Sequence, residues 1–395
     1  MSLLLTALLV IACGRESVGE QSSTNLSGHN NPDETFFPLS DTYGTLHESD
    51  DQDFYRQELI SGLENPWGIA FLPDGEVLIT ERPGRLRMVR NGELLDDSVS
   101  GLPEIAAGGQ GGLLDILLHP EYEENGWIYM TYSTRVDGGR HTALMRARLN
   151  KDELSLCDRE ILFEGKPGAS GGRHFGSRIA IRDGYVYVST GDRGTMNSAQ
   201  DKTNHNGVII RLYENGDIPE DNPFIGTPDA LDEIYSYGHR NPQGMQFHPQ
   251  TGELWIHEHG PRGGDEINII DAAINYGWPE ITYGVNYNGS VITKYTEKEG
   301  MRSAMHEWTP SIAPSGMAFV EGTRYPGWEG DIMIGSLSFE YLHRTVIDAN
   351  AHEVIKEERL LDNIGRVREV RMGPDGYLYF TEESRGRLFR LIPAE

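Results

Sequence analysis

One pattern occurs six times along the chain, and that repetition limits it to very few architectures. The unit is a short apolar stretch, a turn built from Pro, Asp or Gly, and a second stretch rich in β-branched and aromatic residues. The copies lie at residues 68–80, 113–120 with 127–131, 177–188, 244–249 with 253–256, 316–320 with 331–334, and 370–380. Pro-Asp-Gly makes a tight turn because proline presets φ and glycine accepts positive φ. Tyr185-Val186-Tyr187-Val188 alternates as a half-buried strand does. Irregularly spaced, turn-rich β repeats of this kind predict an all-β, six-bladed β-propeller over residues 54–395, one blade per copy. A large sandwich or jelly roll repeats poorly at this period. Glycine accounts for 47 of 395 residues, which serves turns and not helices, and no amphipathic helix stands out.

The charge balance narrows the partners. Lys plus Arg is 34 and Asp plus Glu is 61, a net charge of −27, which repels a phosphate backbone and excludes nucleic acid as the natural ligand. Two cysteines cannot build a disulfide framework. Residues 1–13, MSLLLTALLVIAC, carry an apolar stretch of signal-peptide length that is too short to span a bilayer, and no later run is long enough. Its ending, Val10-Ile11-Ala12-Cys13, resembles a bacterial lipobox, in which the cysteine is lipidated and becomes the first mature residue. That resemblance implies a lipoprotein-type signal peptide and a periplasmic-side, lipid-anchored protein, with the outer membrane favoured because Gly14 and not Asp follows the cysteine; a plain secreted protein is the alternative. Residues 14–53 are rich in Ser, Asn, Gly, Asp and Glu and are expected to be a flexible polar tether, with Phe36, Phe37 and Tyr43 as its aromatics.

Chemistry-bearing residues concentrate in segments too polar and glycine-rich for strand bodies. These are residues 237–244 (YGHRNPQG), 258–268 (EHGPRGGDEIN), 275–279 (NYGWP), 174–178 (HFGSR), 191–194 (GDRG), 109–112 (GQGG) and 366–368 (RVR). Arg240, Arg366 and Arg368 suit a ligand carrying several carboxylates or phosphates, because guanidinium forks bind such groups bidentately; each could equally close a surface ion pair. Asp265, Glu266 and the carbonyls of a Gly-Pro turn are hard oxygen donors of the kind Ca²⁺ takes, or simply an acidic loop in an acidic protein. His174 suits a general base oriented by Asp192, and also a structural loop histidine.

The order of these segments, Gly-His-Arg-Asn-Pro-Gln-Gly, then Gly-Pro-x-x-x-Asp-Glu-Ile-Asn, then Asn-Tyr-Gly-Trp-Pro, resembles the pyrroloquinoline-quinone (PQQ) sugar dehydrogenases, the soluble glucose and aldose sugar dehydrogenases. The likeness runs from Asn65 to the C-terminus and implies a six-bladed propeller that oxidises aldose sugars at the anomeric carbon to aldonolactones, passing electrons to an external acceptor such as a quinone or small electron carrier. By motif, the resemblance implies His174 as the base, Asp192 as its orienting carboxylate, and Gln110, His174, Arg240, Asn241, Arg366 and Arg368 as the residues around PQQ, with Arg240 also at the reacting centre. It implies that Gly260 and Pro261 offer main-chain oxygens to Ca²⁺, and that Glu266 and Tyr276 match further calcium positions. In one place the sequence departs from the family: residues 335–339 read GSLSF, so Ser338 stands where relatives often carry a lysine, and Arg344 is the nearby cation that could replace it. The competing classes are a metal-dependent propeller lactonase or hydrolase, in which a central metal activates water, and a carbohydrate-binding propeller without a cofactor.

Overall fold

The computed structural model describes residues 36–40 and 42–394. The expected signal peptide with Cys13, and the tether up to residue 35, lie outside the described residues. Six antiparallel sheets follow one another along the chain and form a β-propeller. Their first strands are Pro66–Phe71, Leu113–Leu118, Ile179–Arg182, Pro242–Phe247, Pro314–Phe319 and Val367–Met372. Each packs beside the first strand of the next blade, and the sixth returns to the first, so these strands surround the axis. The second strands are Val77–Glu81, Ile128–Val136, Tyr185–Ser189, Leu254–Glu258, Ile332–Ser336 and Leu378–Glu382. Every sequence copy is therefore the inner hairpin of one blade.

The local chemistry explains these hairpins. Gly75 and Gly376 end their Pro-Asp-Gly turns at φ 88° and 77°, and Asp183 and Gly184 both take positive φ in the two-residue turn of the third blade. The alternation at Tyr185-Val186-Tyr187-Val188 predicts a strand with one wet face, yet the inner strands are buried on both faces; Pro66–Phe71 and Leu378–Glu382 are buried throughout. The reason is the architecture, since each blade packs against a neighbour on either side. Met88, Leu113 and Met130 fill the wedge between the first two blades, and Trp255, Phe319 and Ile334 that between the fourth and fifth.

Near one end of the propeller, most first strands carry a bulge, with register shifts between Pro66 and Ile69, Leu113 and Ile116, and Val367 and Glu369. A hydroxyl from the second strand takes up an amide there. Thr80 Oγ1 accepts from Gly68 N at 2.8 Å, Thr131 Oγ1 from Asp115 N at 3.1 Å, and Thr381 Oγ1 from Glu369 N at 3.2 Å.

The ring is closed by the N-terminal strand Phe54–Ile60, which pairs antiparallel with Arg387–Pro393, Phe54 opposite Pro393. Residues 36–53, expected in the tether, also meet the propeller. Phe37 is only 2% exposed and lies 6.1 Å from the Tyr379 ring, Arg390 donates to its carbonyl at 3.0 Å, and Leu46–His47 adds a short edge strand. Two adjacent phenylalanines in a polar segment act as an anchor that composition alone does not distinguish from tether. No helix among the described residues is long and apolar enough to cross a membrane.

Phe54 is fully buried and meets Trp328 edge-on at 5.3 Å. Replacing it by alanine removes a large side chain from the closing strand, at a cost of about 3–5 kcal/mol. Phe54→Ala should lower the thermal unfolding midpoint by several degrees, measured by calorimetry; an unchanged midpoint would show that this strand does not hold the ring shut.

Candidate active site

Strands alternate direction within a blade, so the start of each first strand and the end of each second strand share one end of the propeller. The chemistry-bearing residues converge there. On the axis lies a cavity of about 400 Å³ bordered by Gln110, Asn241, Gln243 and Trp67, with Arg82, Arg366 and Arg368 facing the single carboxylate Glu383. Glu383 Oε2 meets Arg368 at 3.1 Å and Arg366 at 3.4 Å, and Oε1 meets Arg82 at 3.5 Å. Burial opposes ionisation of Glu383, but the charges of Arg368, Arg366 and Arg82 outweigh it and hold the carboxyl below its ordinary value. Three guanidiniums against one carboxylate leave the cavity cationic. Nε of Arg82 and Nε of Arg368 are buried without a protein partner. Unmet donors in a cationic cavity fit a polycarboxylate ligand.

Beside it lies a second cavity of about 500 Å³, bordered by His174, Asp192, Arg240, Pro261, Trp278 and Arg173. His174 Nδ1 is 2.6 Å from Asp192 Oδ1. Asp192 also accepts from Gly194 N at 2.6 Å and from Trp278 Nε1 at 2.8 Å. Both carboxylate oxygens are thus engaged, which fixes the imidazole with Nδ1–H donating to Asp192 and leaves the Nε2 lone pair for a ligand. Burial is the main force on His174 and, helped by Arg240 and Arg173, lowers its pKa below 6.5 despite the opposing pull of Asp192. Asp192 itself stays below its ordinary value, because the His174 contact and the Gly194 amide outweigh its burial. The site therefore presents a neutral imidazole at neutral pH.

The loop carrying His174 is held from several sides. His174 sits at φ 56°, and its amide donates to Gln110 Oε1 at 2.6 Å, which joins the two cavities. A Cβ on Gly191 would lie 2.2 Å from the His174 carbonyl, so only glycine lets the two loops meet. Arg193 donates to the carbonyls of Gly171, at 3.0 Å, and of Arg173, with its guanidinium 3.4 Å over the Phe175 ring. Glu258 organises the neighbouring motif, accepting from the amide of Arg240 at 2.5 Å, that of Asn241 at 3.3 Å and His239 Nδ1 at 2.9 Å. Arg240 Nη1 donates to the His259 carbonyl at 2.9 Å, and the guanidinium lies 5.3 Å over Trp278.

The expected metal residues meet in a third, much smaller space bordered by Gly260, Glu258, Glu266 and Tyr276, with Pro261 on the His174 side. The Tyr276 hydroxyl is committed, donating to Ile269 O at 2.6 Å and accepting from Asp271 N at 2.9 Å, so only main-chain oxygen of this residue could serve a cation. Glu266 is pushed up to about 8 by withdrawal from water and by the charge of Glu258, and Asp265 to about 6 by burial. Excess carboxylate of this kind suits a cation, though no cluster of three or more His, Cys, Asp or Glu side chains with metal-binding geometry occurs among the described residues.

Arg344 does not stand in for the missing lysine. It is clamped by Asp331 at 2.6 Å, Asp51 at 2.7 Å and Glu358 at 2.8 Å, away from the axial cavity, and Ser338 is exposed at the rim next to Leu337. The additional cation in the cavity is Arg82, which the sequence reading missed together with Trp67, Gln243, Glu383 and Trp278. A signal existed. Arg82 directly follows the second strand of the first blade, as Glu383 follows that of the sixth.

The model for "Glucose / Sorbosone dehydrogenase" matches residues 63–390. The chain belongs to that family of β-propeller proteins. It is 42% identical over 338 residues to the aldose sugar dehydrogenase YliI of Escherichia coli, covering 84% of this chain and 91% of the relative. The apo crystal structure of the soluble aldose sugar dehydrogenase from Escherichia coli superposes with a TM-score of 0.83 at 40% identity, over 86% of this chain and all of that one. The PQQ-bound aldose sugar dehydrogenase of Streptomyces coelicolor does so with a TM-score of 0.70 at 27% identity, over 86% and 97%.

The imidazole's titration is directly measurable. By histidine NMR, His174 should titrate below pH 6.5, and in Asp192→Asn lower still, because the lost carboxylate had favoured the protonated ring. A midpoint at or above 6.5, or an upward shift in the variant, contradicts this description.

Proposed function

We propose that the protein is a PQQ-dependent aldose sugar dehydrogenase that oxidises the anomeric carbon of its sugar to the aldonolactone and delivers the electrons to an external acceptor. Family membership supports an oxidoreductase acting on sugars. The observation that carries the finer reading is the pairing of a cationic cavity holding buried, partnerless guanidinium donors with a neutral, carboxylate-oriented histidine beside it.

In this reading Arg82, Arg366 and Arg368 bind the carboxylates of PQQ, with Gln110, Asn241 and Arg240 around its rim. When bound, PQQ supplies an electrophilic quinone that accepts the hydride equivalent from the sugar. The carbonyls of Gly260 and Pro261, with Glu266 and the main chain of Tyr276 nearby, are where Ca²⁺ would be held. His174 Nε2 accepts the proton of the anomeric hydroxyl, which lets the C–H electron pair leave. Asp192 stabilises the imidazolium that results and keeps the ring from turning. Arg193 and Gln110 fix the loop so that this nitrogen faces the cavity. Trp278 covers the buried side of Asp192 and keeps water off the ion pair. The competing metal-dependent hydrolase requires a central metal that activates water, and the arginine-lined axial cavity is poorly suited to that task.

The test is reconstitution. Apoprotein given PQQ and Ca²⁺ should gain the visible spectrum of the bound cofactor and reduce dye when an aldose is added, and EDTA should remove the activity. His174→Ala should lower kcat by about 10²–10⁴-fold with PQQ titration nearly unchanged. The acidic limb of the wild-type rate profile should lie below pH 6.5, since activity falls as the imidazole gains a proton. Full turnover in PQQ-free protein, or a near-normal kcat in His174→Ala, rules the reading out.

The same proposal includes attachment of the domain to the periplasmic side of a membrane through lipid on Cys13, because two acyl chains anchor stably where one does so marginally. Cys13→Ser should move the protein from the membrane to the soluble fraction on cell fractionation; a wild type already soluble counts against it.

A further inference from the structure

The cavity beside His174 carries a cation whose one part so far is to help lower the pKa of the base. Arg173 is exposed, lies on the wall of that cavity immediately before the base, and makes no side-chain ion pair or hydrogen bond among the described residues. Most other arginines near the site are engaged: Arg240 with the His259 carbonyl and Trp278, Arg193 with backbone carbonyls and Phe175, and Arg366 with Glu383 and the Leu337 carbonyl. The position is also unusual for this chain. In a protein of net charge −27, a cation at the mouth of a cleft would normally find a carboxylate. Here the one acid on the cavity wall, Asp192, has both oxygens taken by His174, Gly194 and Trp278. The other polar groups at the mouth, Asn286, Tyr287, Asn288 and Ser290, offer no carboxylate.

We infer that the sugar this site is built for is anionic, an aldose bearing a carboxylate or a phosphate away from its anomeric carbon, and that Arg173 is the specificity-determining residue that receives that group. The inference rests on the sugar-oxidising reading above and names its substrate class. With the anomeric hydroxyl at His174 Nε2, the far end of a pyranose reaches toward the cavity mouth, where Arg173 offers a guanidinium fork matched to either anion. A charged partner at an exposed rim changes affinity and encounter more than the chemical step, so the effect belongs in KM and should weaken with salt. Trp278 faces the same space, which gives a reporter of occupancy independent of turnover.

The experiment compares glucose, glucuronate and glucose 6-phosphate on the full protein in two readouts. One is equilibrium binding, by tryptophan fluorescence with calorimetry as a check. The other is kcat/KM after loading with PQQ and Ca²⁺, normalised to cofactor bound. At low ionic strength one or both anionic sugars should bind about tenfold tighter than glucose. The two anion arms tell a carboxylate from a phosphate. Arg173→Gln should abolish that preference, Arg173→Lys should keep part of it, and 0.5 M salt should reduce it in the wild type. Equal binding of glucose and both anions by the wild type, or a preference that survives in Arg173→Gln, overturns the inference. If the binding preference holds but no aldose is oxidised, the Arg173 assignment stands and the dehydrogenase reading falls, so the two failures are distinguishable.

Discussion

A single guanidinium on the propeller axis ties together blades that no hydrogen-bonded sheet connects. Arg178, 3% exposed, lies just ahead of the first strand of the third blade. It reaches Asp115 of the second blade at 3.4 Å, contacts Glu369 of the sixth, donates to the Gln243 carbonyl of the fourth at 2.5 Å, and lies 4.2 Å over Trp67 of the first. Arg371 completes the set by meeting Asp115 at 3.3 Å and Glu369 at 3.1 Å. Two cations and two carboxylates make the cluster neutral, so the charge of the axial cavity above is set by Arg82, Arg366 and Arg368 against the one carboxylate Glu383. Such a cluster is a poor source of net stability, but removing one member strands the others in a dry interior, which costs about 3–5 kcal/mol. It forms a floor. On its far side the axis opens into a different funnel, lined by Leu117, Ile179, Met245 and Met317, which carries little of the charge that marks the site.

The division between the two ends of the molecule follows from the bulges. The extra residue in a first strand turns the chain and spreads the strand starts apart, and the threonine hydroxyls that satisfy the bulged amides let this happen without leaving buried donors unpaired. The loops that lead into the bulged strands of the second and sixth blades bring in Gln110 and Arg366, while His174 enters ahead of the third blade, whose first strand pairs without a register shift. Rigidity comes from small residues and buried polar contacts: Gly112, whose Cβ would lie 1.8 Å from the Arg82 carbonyl, and Arg193 on its carbonyls.

The repeat made the propeller and its blade count legible, because each inner hairpin is local in sequence and carries its own turn chemistry. The site was legible in part for the same reason, since its motifs fall where strands begin. What the sequence hides is pairing over distance. Nothing near Arg344 announces that Asp51, Asp331 and Glu358 will surround it, and the equivalent places of Arg82 and Glu383 after their second strands show only once ring closure makes the first and sixth blades neighbours. Phe37 is hidden in the same way, since an aromatic pair in a polar segment gives no sign of which surface will cover it. Alternation also overstated exposure, because a strand pattern records two faces but not how many neighbouring sheets will cover them.

The closing strand has a consequence for the life of the polypeptide before it is a protein. Phe54–Ile60 leaves the ribosome early among the described strands, and its partner Arg387–Pro393 is the last of them to emerge. Until then Phe54 and Ile60 lack the places that bury them and one edge of the strand lacks its partner, which five finished blades cannot supply. Every chain therefore passes through a period in which it is nearly complete yet still open along one edge. Anything that shields that edge during synthesis, or shortens the wait for Arg387–Pro393, acts on the yield of the protein without touching its chemistry.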